Sequence, residues 1–161
     1  MATTPSTTDA MMSGDQLVSD LIEATTEANP IEVIETVIAS LDSDQTAMVN
    51  RADSGYLWKF KYGTVEVFVQ LTGLTEADTL TVWASVLKLP VKDEAGLLRK
   101  LLEMNWTSTL EARFATLNNE VIVVSMRSLS DISPSEISRS ITIVATIADD
   151  HDEPLQAQFG S

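Results

Sequence analysis

Apolar positions recur at helical spacing in the first quarter of the chain and at every second residue soon after. Ser13-Gly14-Asp15-Gln16 reads as a capping box opening a helix. Its stripe is Leu17, Leu21, Ala24 and Ala28, widened by Val18 and Ile22. Asn29-Pro30-Ile31-Glu32 stops that helix and begins another. Asn is a strong N-cap, Pro suits the first helical position, and an acid in the first turn complements the helix dipole. Ile31, Ile34, Ile38 and Leu41 form the second stripe, broadened by Val33 and Val37. The alternation that follows is a strand signature. Ala47–Asn50 reads as a short strand and Asp53-Ser54-Gly55 as a turn. Tyr56, Trp58, Phe60 and Tyr62 alternate with Leu57, Lys59 and Lys61; Val65, Val67, Val69 and Leu71 alternate with Glu66, Phe68 and Gln70. Pairing these strands across Tyr62-Gly63 sets Phe60 opposite Val65, Trp58 opposite Val67 and Tyr56 opposite Val69. Lys59 then faces Glu66 on the other side.

Leu80–Leu87 reads as a further strand, ended by Pro90. Asp93–Asn105 reads as a helix with Leu97, Leu98, Leu101 and Leu102 on one side. A second hairpin joins Thr109–Leu117 to Glu120–Arg127 through Asn118-Asn119, because Asn tolerates positive φ. The last element carries conflicting signals. Ser133-Pro134-Ser135-Glu136 is a specific helix start, whereas Ile141–Ile147 is rich in β-branched residues. The cap decides for a helix, with Ile137, Ile141, Val144 and Ala148 on one stripe and Ile143 and Ile147 on another. Residues 149–161 read as a loose acidic tail. The expected organisation is a disordered tail at 1–12, one α+β domain at 13–150, and an acidic tail at 151–161.

Charge sharpens this picture. Residues 1–50 hold nine acids and no Lys or Arg; residues 51–139 hold all ten bases against eleven acids; residues 140–161 add four acids. The net charge of −14 therefore falls on the two ends. Such a surface repels phosphate backbones and anionic lipid, whose binding depends on Lys and Arg. Nucleic acid and membranes are not expected partners. Cysteine is absent, which removes disulfides, thiolate nucleophiles and Cys-held metals. No apolar run reaches 18 residues. The N-terminus has neither the charged nor the apolar region of a secretory signal, so the expected location is cytoplasmic.

No residue pattern points to catalysis. The single histidine, His151, stands in Asp149-Asp150-His151-Asp152-Glu153, which reads as a solvated acidic run rather than a metal clip. Asp42-Ser43-Asp44 opens like a calcium loop but lacks the later ligands and the turn glycine. The glycines are scattered and form no phosphate loop. Asn105-Trp106-Thr107 matches a glycosylation acceptor without a secretory context. Neither catalytic residues, nor a cofactor, nor a metal are expected. Trp58, Trp83 and Trp106 leave open one alternative, an aromatic-lined pocket for a small ligand or pigment.

The second hairpin is anomalous. One of its faces shows Leu110, Ala112, Phe114, Val121 and Val123. The other shows Ala115, Leu117, Ile122, Val124 and Met126, broken by Glu111, Arg113 and Glu120. A solvated sheet face should be more polar. Either a helix or another chain covers it, and Arg113, Ala115, Ile122, Val124 and Met126 are the candidate interface with a partner or a second copy.

Leu97-Leu98-Arg99-Lys100-Leu101-Leu102-Glu103-Met104-Asn105, the Asn118-Asn119-Glu120 turn and the start at Ser133-Pro134-Ser135-Glu136 together resemble the YbjN-like family. Tyr56–Gly63 with Val65–Val69 looks like the hairpin of its cyanobacterial and plastid-type members. The resemblance covers roughly residues 30–150. It implies an α+β fold like that of the type III secretion chaperones, an antiparallel sheet flanked by helices, with an extra N-terminal helix here. It also implies a small, acidic, homodimeric protein that is not an enzyme and holds a segment of an unidentified partner protein, chaperone- or adaptor-fashion.

Overall fold

In the computed structural model, which describes residues 28–161, the elements follow as α1 (Pro30–Leu41), β1 (Met48–Ala52), β2 (Gly55–Tyr62), β3 (Val65–Leu71), β4 (Thr79–Lys88), α2 (Glu94–Thr107), β5 (Arg113–Leu117), β6 (Glu120–Ser128) and α3 (Pro134–Phe159). The tail expected at 1–12 and the helix expected at 13–28 lie outside the described residues, apart from Ala28. Three helices and one antiparallel sheet of six strands, ordered β1-β2-β3-β4-β6-β5, make an α+β domain. No helix among the described residues is long and apolar enough to cross a membrane.

Alternation in β3 and β4 buries Val65, Val67, Val69, Leu71, Leu80, Val82 and Ala84 on one side of the sheet. Helix α3 lies across β4, β3, β6 and β2 on that side, and α1 packs beside it. Trp58, Phe60, Phe114, Val121 and Val123 complete the sheet's contribution to the core. The other side of the sheet carries no helix among the described residues. The fold is thus two layers with one layer left open on its outer face.

The first hairpin corrects the expected register. Tyr62 pairs with Val65, Phe60 with Val67, Trp58 with Val69 and Tyr56 with Leu71. The turn is Gly63-Thr64, where Gly63 takes φ 55° at the first central position, the conformation that favours glycine in tight hairpins. The shift is by two residues, so every side chain keeps its expected face. Lys59 lies opposite Phe68 yet still reaches Glu66 diagonally, Nζ to Oε1 at 3.1 Å. The Asn118-Asn119 hairpin has its expected register, Leu117 opposite Glu120, and both Asn residues take positive φ. Residues 109–112, expected within that hairpin's first strand, form a turn instead.

Helix α3 settles the conflict in the last segment. Ser133 Oγ accepts from the Glu136 N–H at 3.2 Å, and Glu136 Oε2 accepts from the Ser133 N–H at 2.8 Å, so the capping box is closed. The helix does not stop near residue 148. It runs to Phe159, through Pro154, and the expected loose acidic tail is its last turns. Pro154 removes one backbone hydrogen bond, but Leu155 and Phe159 are buried, with Leu155 only 1% exposed. The acids have partners as well. Asp149 Oδ1 accepts from the N–H and hydroxyl of Thr64 at 2.9 and 3.0 Å, and Asp152 Oδ2 accepts from the same hydroxyl at 2.6 Å. These contacts pin α3 to the β2–β3 turn. A side chain at position 63 would collide with the Asp149 carboxylate, a second reason for glycine there.

Leu155→Ala should therefore cost about 2–5 kcal/mol in urea unfolding, the usual range for truncating a buried leucine. A shift within about 0.5 kcal/mol, as expected of a surface position, would show that these turns do not pack.

Candidate protein-binding surface

Cross-strand pairing lines up one residue from each strand on the open face. The row runs Met48, Lys59, Phe68, Trp83, Val124 and Arg113, from β1 through β2, β3, β4 and β6 to β5. At its centre Phe68 and Trp83 stack with ring centroids 5.3 Å apart and planes 11° off parallel. Lys59 Nζ stands 5.9 Å from the Phe68 centroid, within reach of a cation–π contact. Beside this row, Leu57, Gln70, Thr81 and Met126 form the next one. Met126 is 67% exposed.

The five residues singled out from the sequence are brought together on this face. Val124 sits between Trp83 and Arg113, Ile122 between Ser85 and Ala115, and Met126 follows along β6. Their roles divide. Val124 is half-buried and Met126 open, whereas Ile122 is 6% exposed and serves mainly as a support. The Arg113 guanidinium turns back to donate to the carbonyls of Leu110 and Ala112, both at 2.5 Å, so it ties the preceding turn rather than projecting from the sheet. Phe68 was not among the expected residues, and Trp83 was read only as a pocket lining. Their alternation places each among the polar positions of its strand. The contact appears only once β3, β4 and β6 are known to be neighbours.

The edge of the sheet is guarded on one side. Strand β5 is outermost, and its Phe114 N–H donates to Asn105 Oδ1 at 2.7 Å while its carbonyl accepts from Asn105 Nδ2 at 3.3 Å. One side-chain amide thus occupies both outward hydrogen-bonding groups of Phe114, a local device against edge-to-edge pairing. Asn105 is held there by α2, whose Leu97 and Leu101 are buried. Leu98 and Leu102, expected on the same side, are exposed. With Trp106, which is 90% exposed, they form a second apolar stripe on the outside of α2.

The tryptophans do not converge. Trp58 faces the helices, 2% exposed, with its indole N–H donating to Glu35 Oε1 at 3.3 Å. Trp83 is on the open face, and Trp106 is on α2. No cavity among the described residues is lined by more than one of them, although Trp58 lines one with Ile38, Ala39, Met48 and Val49. His151 packs edge-on against the Phe114 ring at 5.9 Å, and no cluster suited to a metal ion occurs among the described residues.

Helices on one side of an antiparallel sheet and a half-buried aromatic pair on the other define an α+β domain whose outer sheet face no helix covers among the described residues. The chain belongs to the YbjN family, whose model matches residues 30–157 and is described as "Putative bacterial sensory transduction regulator". No curated protein matches it in sequence. Among solved structures it is similar to a chain in the "Crystal Structure of the ExsC-ExsE Complex", at 14% identity and a TM-score of 0.49 over 80% of this chain and 93% of that one.

Removing the guard should open the edge. Asn105→Ala should speed hydrogen exchange of the Phe114 amide roughly 3- to 10-fold, the equivalent of one hydrogen bond of modest net strength. Exchange at Val123, inside the sheet, should not change. Equal rates at Phe114 in both proteins would show that Asn105 does not protect it.

Proposed function

We propose that this protein is a non-enzymatic, cytoplasmic protein-binding module, chaperone- or adaptor-like, that holds a segment of a partner protein across the open face of its sheet. The carrying observation is the Phe68–Trp83–Val124 row with Met126 beside it, apolar where an antiparallel sheet ordinarily turns polar residues to water. Aromatic and Met side chains are enriched at the centres of protein interfaces. Lys59 and Glu66 flank the row and would orient a partner without supplying most of the affinity. The acidic balance favours a partner segment that is apolar or basic.

The protein is also proposed to be a homodimer. The outward stripe of Leu98, Leu102 and Trp106 on α2 lies apart from the sheet's open face, so self-association there would leave the row free.

Val124→Glu should abolish partner capture while the domain keeps its thermal midpoint to within a few degrees, since Val124 is not part of the core cluster. Native mass spectrometry of the protein isolated from its own host should show a stoichiometric second polypeptide on the wild type and at least tenfold less on the variant. Equal occupancy would refute the assignment to this face. For the dimer, Leu102→Glu with Trp106→Glu should convert the particle to a monomer in light scattering; an unchanged mass, or a wild type that is already monomeric, would reject the α2 interface.

A further inference from the structure

The apolar stripe of Leu17, Leu21, Ala24 and Ala28 enters the described structure at its last member. Ala28 is half-buried and lines a groove at one end of the sheet with Leu74, Leu129, Ile132 and Ile137. The groove lies between the β3–β4 and β6–α3 loops. These two are tied together, since the Ser128 hydroxyl donates to the Glu76 carbonyl at 3.3 Å and the Leu129 N–H to the Asp78 carbonyl at 3.0 Å. Ser128 also ends β6, whose outward positions run back through Met126 and Val124 to Ile122. The chain ahead of Ala28 therefore begins beside one end of the outer sheet face. Asn29 is extended, at φ −62° and ψ 125°, so the preceding segment is not bound to the direction of α1. As a helix, residues 13–28 would extend about 24 Å at 1.5 Å per residue. From Ser128 to Ile122 the face measures about 20 Å at 3.3 Å per residue.

Charge on that face runs opposite to the charge of the molecule. By register its charged positions are Lys59, Lys61 and Lys88 against Glu66 and Glu120, with the Arg113 guanidinium turned back toward the preceding turn. The face is thus locally positive in a chain of net −14. Residues 1–27 hold Asp9, Asp15, Asp20, Glu23 and Glu27 and no Lys or Arg. Segment and face therefore match twice, apolar stripe to apolar row and acids to lysines.

We propose that residues 13–27 form a helix that leaves the groove at Ala28 and lies over the outer face of the sheet, with Leu17, Leu21 and Ala24 against Phe68, Trp83, Val124 and Met126. A tethered segment has an effective concentration in roughly the millimolar range, whereas a second copy of so acidic a chain must approach against its own repulsion. The placement stands by itself; its consequence for binding rests on the proposed function. A partner must displace this helix to reach the row, and basic residues on the partner draw off the segment's acids while its apolar side chains take their place.

The test is a paramagnetic relaxation measurement on the full chain. The protein has no cysteine, so Ser19→Cys, on the side of the expected helix away from the stripe, takes a single nitroxide label. Isotope-labelled chains carrying it are diluted in an excess of unlabelled chain, so that only intramolecular contacts register. The Phe68, Val124 and Met126 amides should lose at least half their intensity, and that of Thr142, on the outside of α3, should be unaffected. Leu17→Glu with Leu21→Glu should restore the lost intensity while Val82 and Val144 in the core keep their shifts. No loss at the outer-face amides, or loss at Thr142 instead, would overturn the placement. Loss that appears only when label and isotope are on different chains would assign the face to a second copy and overturn it too. Loss undiminished in the double variant would reject the stripe as the contact. The measurement needs no partner, so it can fail while partner capture by the outer face succeeds, and the reverse.

Discussion

Everything in this domain depends on one-sided burial of the sheet beneath α3. That helix has 26 residues, about 39 Å at 1.5 Å per residue. It is not built from strong helix formers: Ile137, Ile141, Thr142, Ile143, Val144, Thr146 and Ile147 are all β-branched and restricted at χ1. Its existence rests on the closed capping box at Ser133 and on the sheet it covers, in keeping with the rule that packing of an apolar face outweighs propensity. The sheet in turn needs α3, because no other helix among the described residues is laid along β4 at its centre. Neither layer is a stable object alone.

Covering one face fixes the character of the other. Pairing carries parity from strand to strand, so once Val67, Ala84 and Val123 are committed to the core, Phe68, Trp83 and Val124 must point away from it. The open row is a consequence of the same registers that build the core. Strand β6 shows this most sharply. Its inward positions run Val121, Val123 and Ser125, and the adjacent outward positions are Val124 and Met126.

Much of this was legible in the sequence because alternation and caps are local. The Asn29 and Ser133 caps, the Asn118-Asn119 turn and the face of every strand residue in both hairpins follow from residues close together in the chain. The hairpin register at Gly63 was not fixed by alternation, since a slip of two residues preserves all the faces; only the turn's demand for positive φ decides it. The last turns of α3 were misread because an acidic run ending in Pro154 has the composition of a solvated terminus. Asp149 and Asp152 are instead ligands of Thr64, 85 and 88 residues earlier. Leu98 and Leu102 were grouped with Leu97 and Leu101, although a helix beside an edge strand buries only a narrow stripe. Asn105 as an edge guard requires knowing which elements are neighbours in space, and no spacing along the chain encodes that.

An apolar sheet face that no helix covers, as here among the described residues, ordinarily invites indiscriminate association. Three features restrain it here. Within the row Lys59 stands beside the Phe68 ring, so charge borders the stacked pair on that side. On the β5 edge the Asn105 amide occupies the N–H and C=O of Phe114, which hinders pairing by an extending sheet there. The net charge of −14 sets like molecules against each other at long range. Repulsion of that kind does not discriminate among surfaces, but it weakens as soon as an approaching segment carries basic residues. Under the proposed function, the combination favours segments that offer apolar side chains and positive charge together.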